Sequence, residues 1–214
     1  MSGGANIWID TDEKGIYACD FTITDSNVTV ISGDDGFHVD DITITGSTVD
    51  ITSVGGIGIN ADGVEIDDST VIIDNNIANH NEGIAAYNGG DVLITNGSVV
   101  EIYCGCDGIY TTSGDITINN SRLTVVNDCY GINSSESIYI EADSVLDISA
   151  PDYGLYASGN IELNGGYGTI ESTGGDKAVY ASGTLTAAVP VWGWDGSAYT
   201  LDAWKSETRS RLQA

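Results

Sequence analysis

The chain has almost no proline: Pro151 and Pro190 are the only two in 214 residues. Proline cannot donate to a β-ladder, so its scarcity leaves long ladders unbroken. Basic side chains are scarce too. Six Lys and Arg stand against 32 Asp and Glu, a net charge of −26. Nucleic acid and anionic membrane surfaces would meet the wrong sign of charge, which excludes both as partners. No apolar run approaches the length that spans a bilayer, so membrane insertion is not expected. There are only two histidines, His38 and His80. Neither belongs to a nucleophile-elbow pattern, and a serine hydrolase has no base to use. Helical spacing is missing from every window between Gly15 and Ala188.

What is present is a repeated phrase. Each copy opens on a Gly followed by a large apolar residue: GIYACDFTITDSNVTVIS from Gly15, GFHVDDITITGSTVDITS from Gly36, GIGINADGVEIDDSTVIID from Gly56 and GIAAYNGGDVLITNGSVVEI from Gly83. Further copies open at Gly108, Gly131 and Gly154, and a worn one at Ala178. The shortest interval is 20 residues (Gly36 to Gly56) and the longest 27 (Gly56 to Gly83). Such a period means stacked structural units whose equal offsets become neighbours. Inside each unit apolar and polar residues alternate, as in Phe37, Val39; Ile42, Ile44; Val49, Ile51. That is the pattern of three short half-buried strands per unit, separated by turns rich in Gly, Asp, Asn and Ser. The leucine ladder of a leucine-rich repeat and the GGxGxD runs of a calcium roll are absent. The reading is an all-β, right-handed, single-stranded parallel β-helix of about seven coils over residues 1–188, with coils about 4.8 Å apart. Residues 189–214 hold three of the four tryptophans and are expected to form a short C-terminal cap, with an amphipathic helix over 200–212.

Several columns follow from this register. Ser26, Ser47, Ser69, Ser98, Ser121 and Ser144 share one offset. Each follows Asp, Asn or Gly, the residues that tolerate a left-handed backbone, so the column reads as structural. One acidic column precedes the second strand: Asp20, Asp41, Asp91 and Asp115, with Asp40 and Asp62 one position earlier. Another precedes the opening Gly: Asp34, Asp35, Glu82, Asp107, Asp152 and Asp176. Stacked carboxylates repel, and a column of oxygen ligands suits Ca²⁺. Asp34, Asp35, Asp40, Asp41, Asp62 and Asp20 are the candidate ligands. The outward positions of the first strand read Tyr17, His38, Gly58, Ala85, Tyr110, Asn133, Tyr156 and Tyr180, with Tyr87 two residues past Ala85. Aromatic faces on a rigid strand suit stacking against sugar rings, which makes Tyr17, His38, Tyr87, Tyr110, Tyr156 and Tyr180 the candidate carbohydrate contacts. Strand preference for tyrosine explains the same column without a ligand. Cys106 and Cys129 fall at one offset in adjacent units, with Cys104 nearby. A disulfide and a reduced pair are both compatible with that, and the four cysteines show no metal-ligand spacing. From Met1-Ser-Gly-Gly onward no signal peptide is expected, so export is not read from the sequence directly.

The block GDDGFHVDDITITGSTVDITS, Gly33 to Ser53, resembles the repeats of a bacterial carbohydrate-binding β-helix family whose units read roughly DDGIHADGDITITGGTVTITS. Looser copies extend the likeness over Gly15–Ala188. The resemblance implies a pectate-lyase-like fold, bound calcium, a location outside the cell or on its surface, and affinity for plant cell-wall polysaccharides, including acidic ones such as polygalacturonate. On it, Asp34, Asp35, Asp40 and Asp41 match the family's acidic motif, with Asp62 in the next copy. Later copies depart from it: TTSGDITIN has no DDG start and SSESIYIE has lost the aspartates. The expected function is therefore non-catalytic, calcium-dependent polysaccharide binding. The alternatives are a surface adhesin or stalk without a sugar site, and a lyase or glycosidase. A lyase has little to work with, since the repeats offer only Lys14, Arg122 and Lys177 as cationic bases. For a glycosidase the paired carboxylates that hydrolysis needs are abundant, but the GHG and RIK signatures are missing.

Overall fold

A computed structural model describes residues 4–75, 80–174 and 176–188, together with the backbone of 193–194 and 199–200. Three eight-stranded parallel sheets are built from strands between Asn6 and Ala187. Sheet A begins with Asn6–Thr11 and ends with Tyr167–Ser172. Sheet B holds the short strands after each opening Gly, from Ile16–Tyr17 to Val179–Ala181. Sheet C runs from Phe21–Thr24 to Leu185–Ala187. Each coil contributes one strand to each sheet, so the chain is a three-faced parallel β-solenoid of about eight turns. The expected count of about seven is one short. Asn6–Thr11 lies before the first Gly phrase yet pairs in register with Asn27–Ser32, so a count that starts at Gly15 leaves it out. No described residue is helical. Gly193–Trp194 pairs antiparallel with Tyr199–Thr200, so the expected helix does not include Thr200. The rest of that expected helix lies outside the described residues.

The interior is built from self-stacking apolar columns. Ile23, Ile44, Ile66, Ile94 and Ile118 are fully buried on sheet C, and Val28, Val49, Val71, Val100 and Leu123 line sheet A at 4 % exposure or less. The opening glycines close the corner between sheets A and B. A Cβ at Gly36 would stand 2.4 Å from Ile51 Cγ2 and 2.5 Å from the Gly58 carbonyl oxygen. Only glycine permits that approach.

This contact also settles a register that the GIG sequence left ambiguous. Phe37 N–H donates to Gly58 O, and Ile59 N–H to Gly83 O, both at 3.0 Å. The third unit opens on Gly58, not Gly56. Its outward position is therefore Asn60, which pairs with His38 and Ala85, and Gly58 is a corner glycine.

The serine column is structural, as expected. Ser26, Ser47 and Ser69 N–H groups donate to Oγ of Ser47, Ser69 and Ser98, at 3.1, 3.1 and 3.2 Å. Each hydroxyl in turn donates to a carbonyl, as Ser69 does to Asp67 O at 2.7 Å. The residues just before the serines carry the left-handed turn: Asp25, Gly46, Asp68, Gly97, Asn120 and Asp143 all have φ between 45° and 86°.

Replacing Ser69 by Ala leaves the buried Ser47 N–H without its acceptor, a loss of about 1–3 kcal/mol. Gly36→Ala forces a clash with backbone that cannot move aside, and a cost of about 1–3 kcal/mol is expected from overpacking. Thermal melts followed by circular dichroism should show both variants well below the parent. An unchanged midpoint for either would contradict the corner geometry described here.

Candidate functional site

The outer surface of sheet B gathers most of the chemistry. Its outward column is Tyr17, His38, Asn60, Ala85, Tyr110, Asn133, Tyr156 and Tyr180, in that order. Near the N-terminal end Tyr17 is 76 % exposed, and its ring stacks on His38 with centroids 5.4 Å apart. The two rings, with Asp40, Asn60, Asp62 and Tyr87, line an open groove of about 480 Å³. Tyr17 also borders a second cleft with Lys14 and Asp34. Asn88 Nδ2 donates to Asp62 Oδ1 at 2.7 Å. Burial, and then the nearby Glu82 carboxylate, pushes the Tyr87 phenol up to about 12. It remains a hydroxyl donor near neutral pH.

At the other end the tyrosines form a cluster larger than the sequence stripe implied. Tyr156 stacks on Tyr180 with centroids 5.3 Å apart. Tyr130 and Tyr153 form a second stack at 5.4 Å and 4°. The two stacks meet edge to face, Tyr153 against Tyr156 at 63°, and Lys177 Nζ lies 4.6 Å from the Tyr180 ring centre. Tyr130 and Tyr153 escaped the sequence reading because they stand just before the opening glycines, outside the strand. The dipeptide Tyr-Gly in two consecutive units was the available signal. Tyr110 stands between the ends, edge-on to Tyr87 at 6.0 Å.

The six candidate metal ligands separate into two corners. Asp34 and Asp35 lie where sheet A turns into sheet B. Asp20, Asp40, Asp41 and Asp62 lie where sheet B turns into sheet C. Asp35 is 5 % exposed and its partners are already in place. Lys14 Nζ lies 2.8 Å and His38 Nδ1 2.7 Å from its Oδ2. Ile57 N–H donates to Oδ1 at 2.9 Å and Asn60 Nδ2 to Oδ2 at 3.1 Å. Lys14 also reaches Asp34 at 3.6 Å. The ammonium thus sits in the acidic corner where sequence reasoning expected a calcium ion. Along sheet C the acids act as a backbone ladder. Asp91 Oδ1 accepts the Asp115 N–H at 2.8 Å and Asp115 Oδ1 accepts the Ser137 N–H at 2.9 Å. Ser137 Oγ and Asn160 Oδ1 continue it to Asn160 N–H and Thr184 N–H. Among the described residues, the one set of three or more Cys, His, Asp or Glu ligand atoms within 4.8 Å of one another is Cys106, Asp107 and Cys129. The six aspartates therefore make no ready-made calcium cage there. All four cysteines are thiols. Cys104 is buried and donates to the Asp107 carbonyl at 3.3 Å, and burial pushes it up to about 12.

No family model matches this chain, and neither the curated proteins nor the solved structures contain a match to it.

Burial alone would raise the Asp35 pKa, but the bonds from Lys14, His38, Ile57 and Asn60 outweigh it and hold the carboxyl below its ordinary value. A carboxyl with a depressed folded pKa contributes stability above its unfolded pKa, near 3.9, that is lost as pH falls through the folded one. Lys14→Met removes the ammonium and reverses the balance. The variant should melt lower at pH 7, with a cost of about 1–3 kcal/mol for the stranded charge, and the gap to the parent should narrow towards pH 4. A gap independent of pH would show that Lys14 acts by packing alone.

Proposed function

We propose that the solenoid is a non-catalytic polysaccharide-binding protein that works outside the cell or on its surface and receives a glycan chain along sheet B. The observation that carries this reading is the groove beside Tyr17. It combines exposed stacked rings with Asp40, Asn60, Asp62 and the Tyr87 hydroxyl, an arrangement that offers apolar faces to sugar rings and acceptors and donors to their hydroxyls. The strands that carry these groups are rigid and regularly spaced, which suits a repeating ligand. The tyrosine cluster at the far end provides a second stacking surface on the same sheet. Cleavage is not part of the proposal. Lys14 is committed to Asp35, Arg122 begins a sheet A strand, and Lys177 lies against Tyr180.

Charge decides which glycan fits. A chain of net charge −26 repels a polyanion at long range. Without a prebuilt calcium cage, the face suits a neutral glycan best. A second reading, the calcium-bridged acidic glycan that the sequence resemblance implies, is favoured by Asp40 and Asp62. They stand in adjacent coils on one groove wall. There the sugar carboxylates would have to supply the ligands that the protein lacks.

Affinity measured against neutral and acidic cell-wall glycans, with calcium and with EDTA, tests both. Neutral glycan binding should survive EDTA, whereas polygalacturonate binding should require calcium. Tyr17→Ala and Tyr87→Ala should each weaken binding about tenfold, about 1.4 kcal/mol, with the fold intact. Asp40→Asn should weaken polygalacturonate more than a neutral chain. No affinity for any glycan in either buffer would leave an adhesin or stalk as the better account.

A further inference from the structure

Two buried aspartates occupy one ladder position, three coils apart. Asp35 precedes Gly36 and Asp107 precedes Gly108. The next coil holds each in the same way. Asp107 Oδ1 accepts the Tyr130 N–H at 3.1 Å and Oδ2 accepts Asn133 Nδ2–H at 2.7 Å, as Asp35 does from Ile57 and Asn60. The exposures are 5 % and 6 %. What differs is the cation. Asp35 has Lys14 and His38 within 2.8 Å. No Lys, Arg or His among the described residues pairs with Asp107. Cys106 and Cys129 stand there instead, in adjacent coils, and their Sγ atoms and the Asp107 carboxylate lie within 4.8 Å of one another. Cys106 Sγ–H is directed at Asp107 Oδ1 across 4.0 Å.

A buried carboxylate without a counter-ion is costly, and this one also feels Glu82 and Asp152. Burial first, and then those carboxylates, push Asp107 up to about 6, against the lowering effect of Asn133 and Tyr130. Two thiols and one carboxylate form a donor set for a borderline-soft cation such as Zn²⁺ rather than for Ca²⁺. We propose that Cys106, Asp107 and Cys129 form a zinc-class metal site with three protein ligands and a fourth position open to water. The ion bonds to both sulfurs and to one Asp107 oxygen, and the two thiol protons leave to solvent. Its positive charge takes the place that the Lys14 ammonium fills at Asp35. Asn133 and the Tyr130 N–H orient the carboxylate, as outer partners do in metal sites. Cys104, turned towards backbone carbonyls, lies outside the set.

The test uses the full chain, reduced and stripped with chelator, and Co²⁺ as a coloured probe for Zn²⁺. Titration should give a thiolate-to-cobalt charge-transfer band with the visible bands of a tetrahedral ion, saturating at one equivalent and displaced by Zn²⁺. Cys106→Ser and Cys129→Ser should abolish the band, while Cys19→Ser leaves it unchanged. Asp107→Asn should weaken binding at least tenfold. Circular dichroism of each variant separates loss of the site from loss of the fold. A folded, reduced chain that shows no band would overturn the proposal. So would a band that survives in both cysteine variants, or a chain in which Cys106 and Cys129 only oxidise to a disulfide and never take the ion.

Discussion

In a parallel solenoid every residue sits on its own equivalent one coil away, at the spacing of neighbouring strands, about 4.8 Å. A side chain must therefore be compatible with copies of itself. Ile and Val meet that condition in the interior, and serine meets it at the corner, where each hydroxyl can donate to a carbonyl and accept from the next coil. Carboxylates do not meet it unaided, because like charges at that distance repel. An acidic solenoid must break up or neutralise its own columns. The structure does this in three ways: it inserts Lys14 beside Asp35, it turns Asp91 and Asp115 onto backbone N–H groups, and it interrupts columns with Gly, Asn and Ser.

Self-stacking explains which parts of the fold were legible in the sequence. Columns whose member repeats without change, such as Ser26 through Ser144, announce themselves through spacing, and the three faces follow from alternation. The failures come where one signal had two readings. GIG offered two glycines, and only the approach of Ile73 and the Gly83 carbonyl to Gly58 selects between them. The strand Asn6–Thr11 stands before Gly15, where the first Gly phrase opens, so a repeat counted from that phrase leaves it out. In the sequence the acids just before each opening Gly look like a single column. In space they are two, one holding Asp34, Cys106, Cys129, Asp152 and Asp176, the other Lys14, Asp35, Glu82, Asp107, Tyr130 and Tyr153. Reading them as one hid both the Lys14–Asp35 pair and the thiols beside Asp107.

The same register gives two of the three breaks in the aromatic stripe, those at Asn60 and Asn133, a physical cause. Asn60 and Asn133 replace an aromatic at the outward position one coil after a buried aspartate, and each donates to that aspartate at 3.1 and 2.7 Å. The stripe yields where a buried charge needs a donor, since an unsatisfied carboxylate costs more than one lost ring contact. This divides sheet B into an N-terminal groove around Tyr17 and His38 and a C-terminal cluster around Tyr156 and Tyr180. A glycan lying along the sheet would meet aromatic surface at both ends, with the amides of Asn60 and Asn133 and the Tyr110 ring between them.

Asp35 and Asp107 are one site with two different neighbourhoods. Backbone, burial and amide partner are the same at both, so the fold itself places a desolvated carboxylate at this ladder position. Whatever neutralises it must come from the preceding coil or from solution. At Asp35 the preceding coil supplies an ammonium, and the acid is held ionised. At Asp107 the preceding coil supplies Glu82, which makes the charge harder to hold. Protonation near pH 6 would relieve the strain in acid but not at neutrality. A divalent ion relieves it at neutral pH and uses both thiols, whose own ionisation is suppressed by the same burial. The three groups are each unfavourable as isolated anions and mutually favourable around a cation. That is the physical condition that separates a ligand set from a chance cluster of polar side chains.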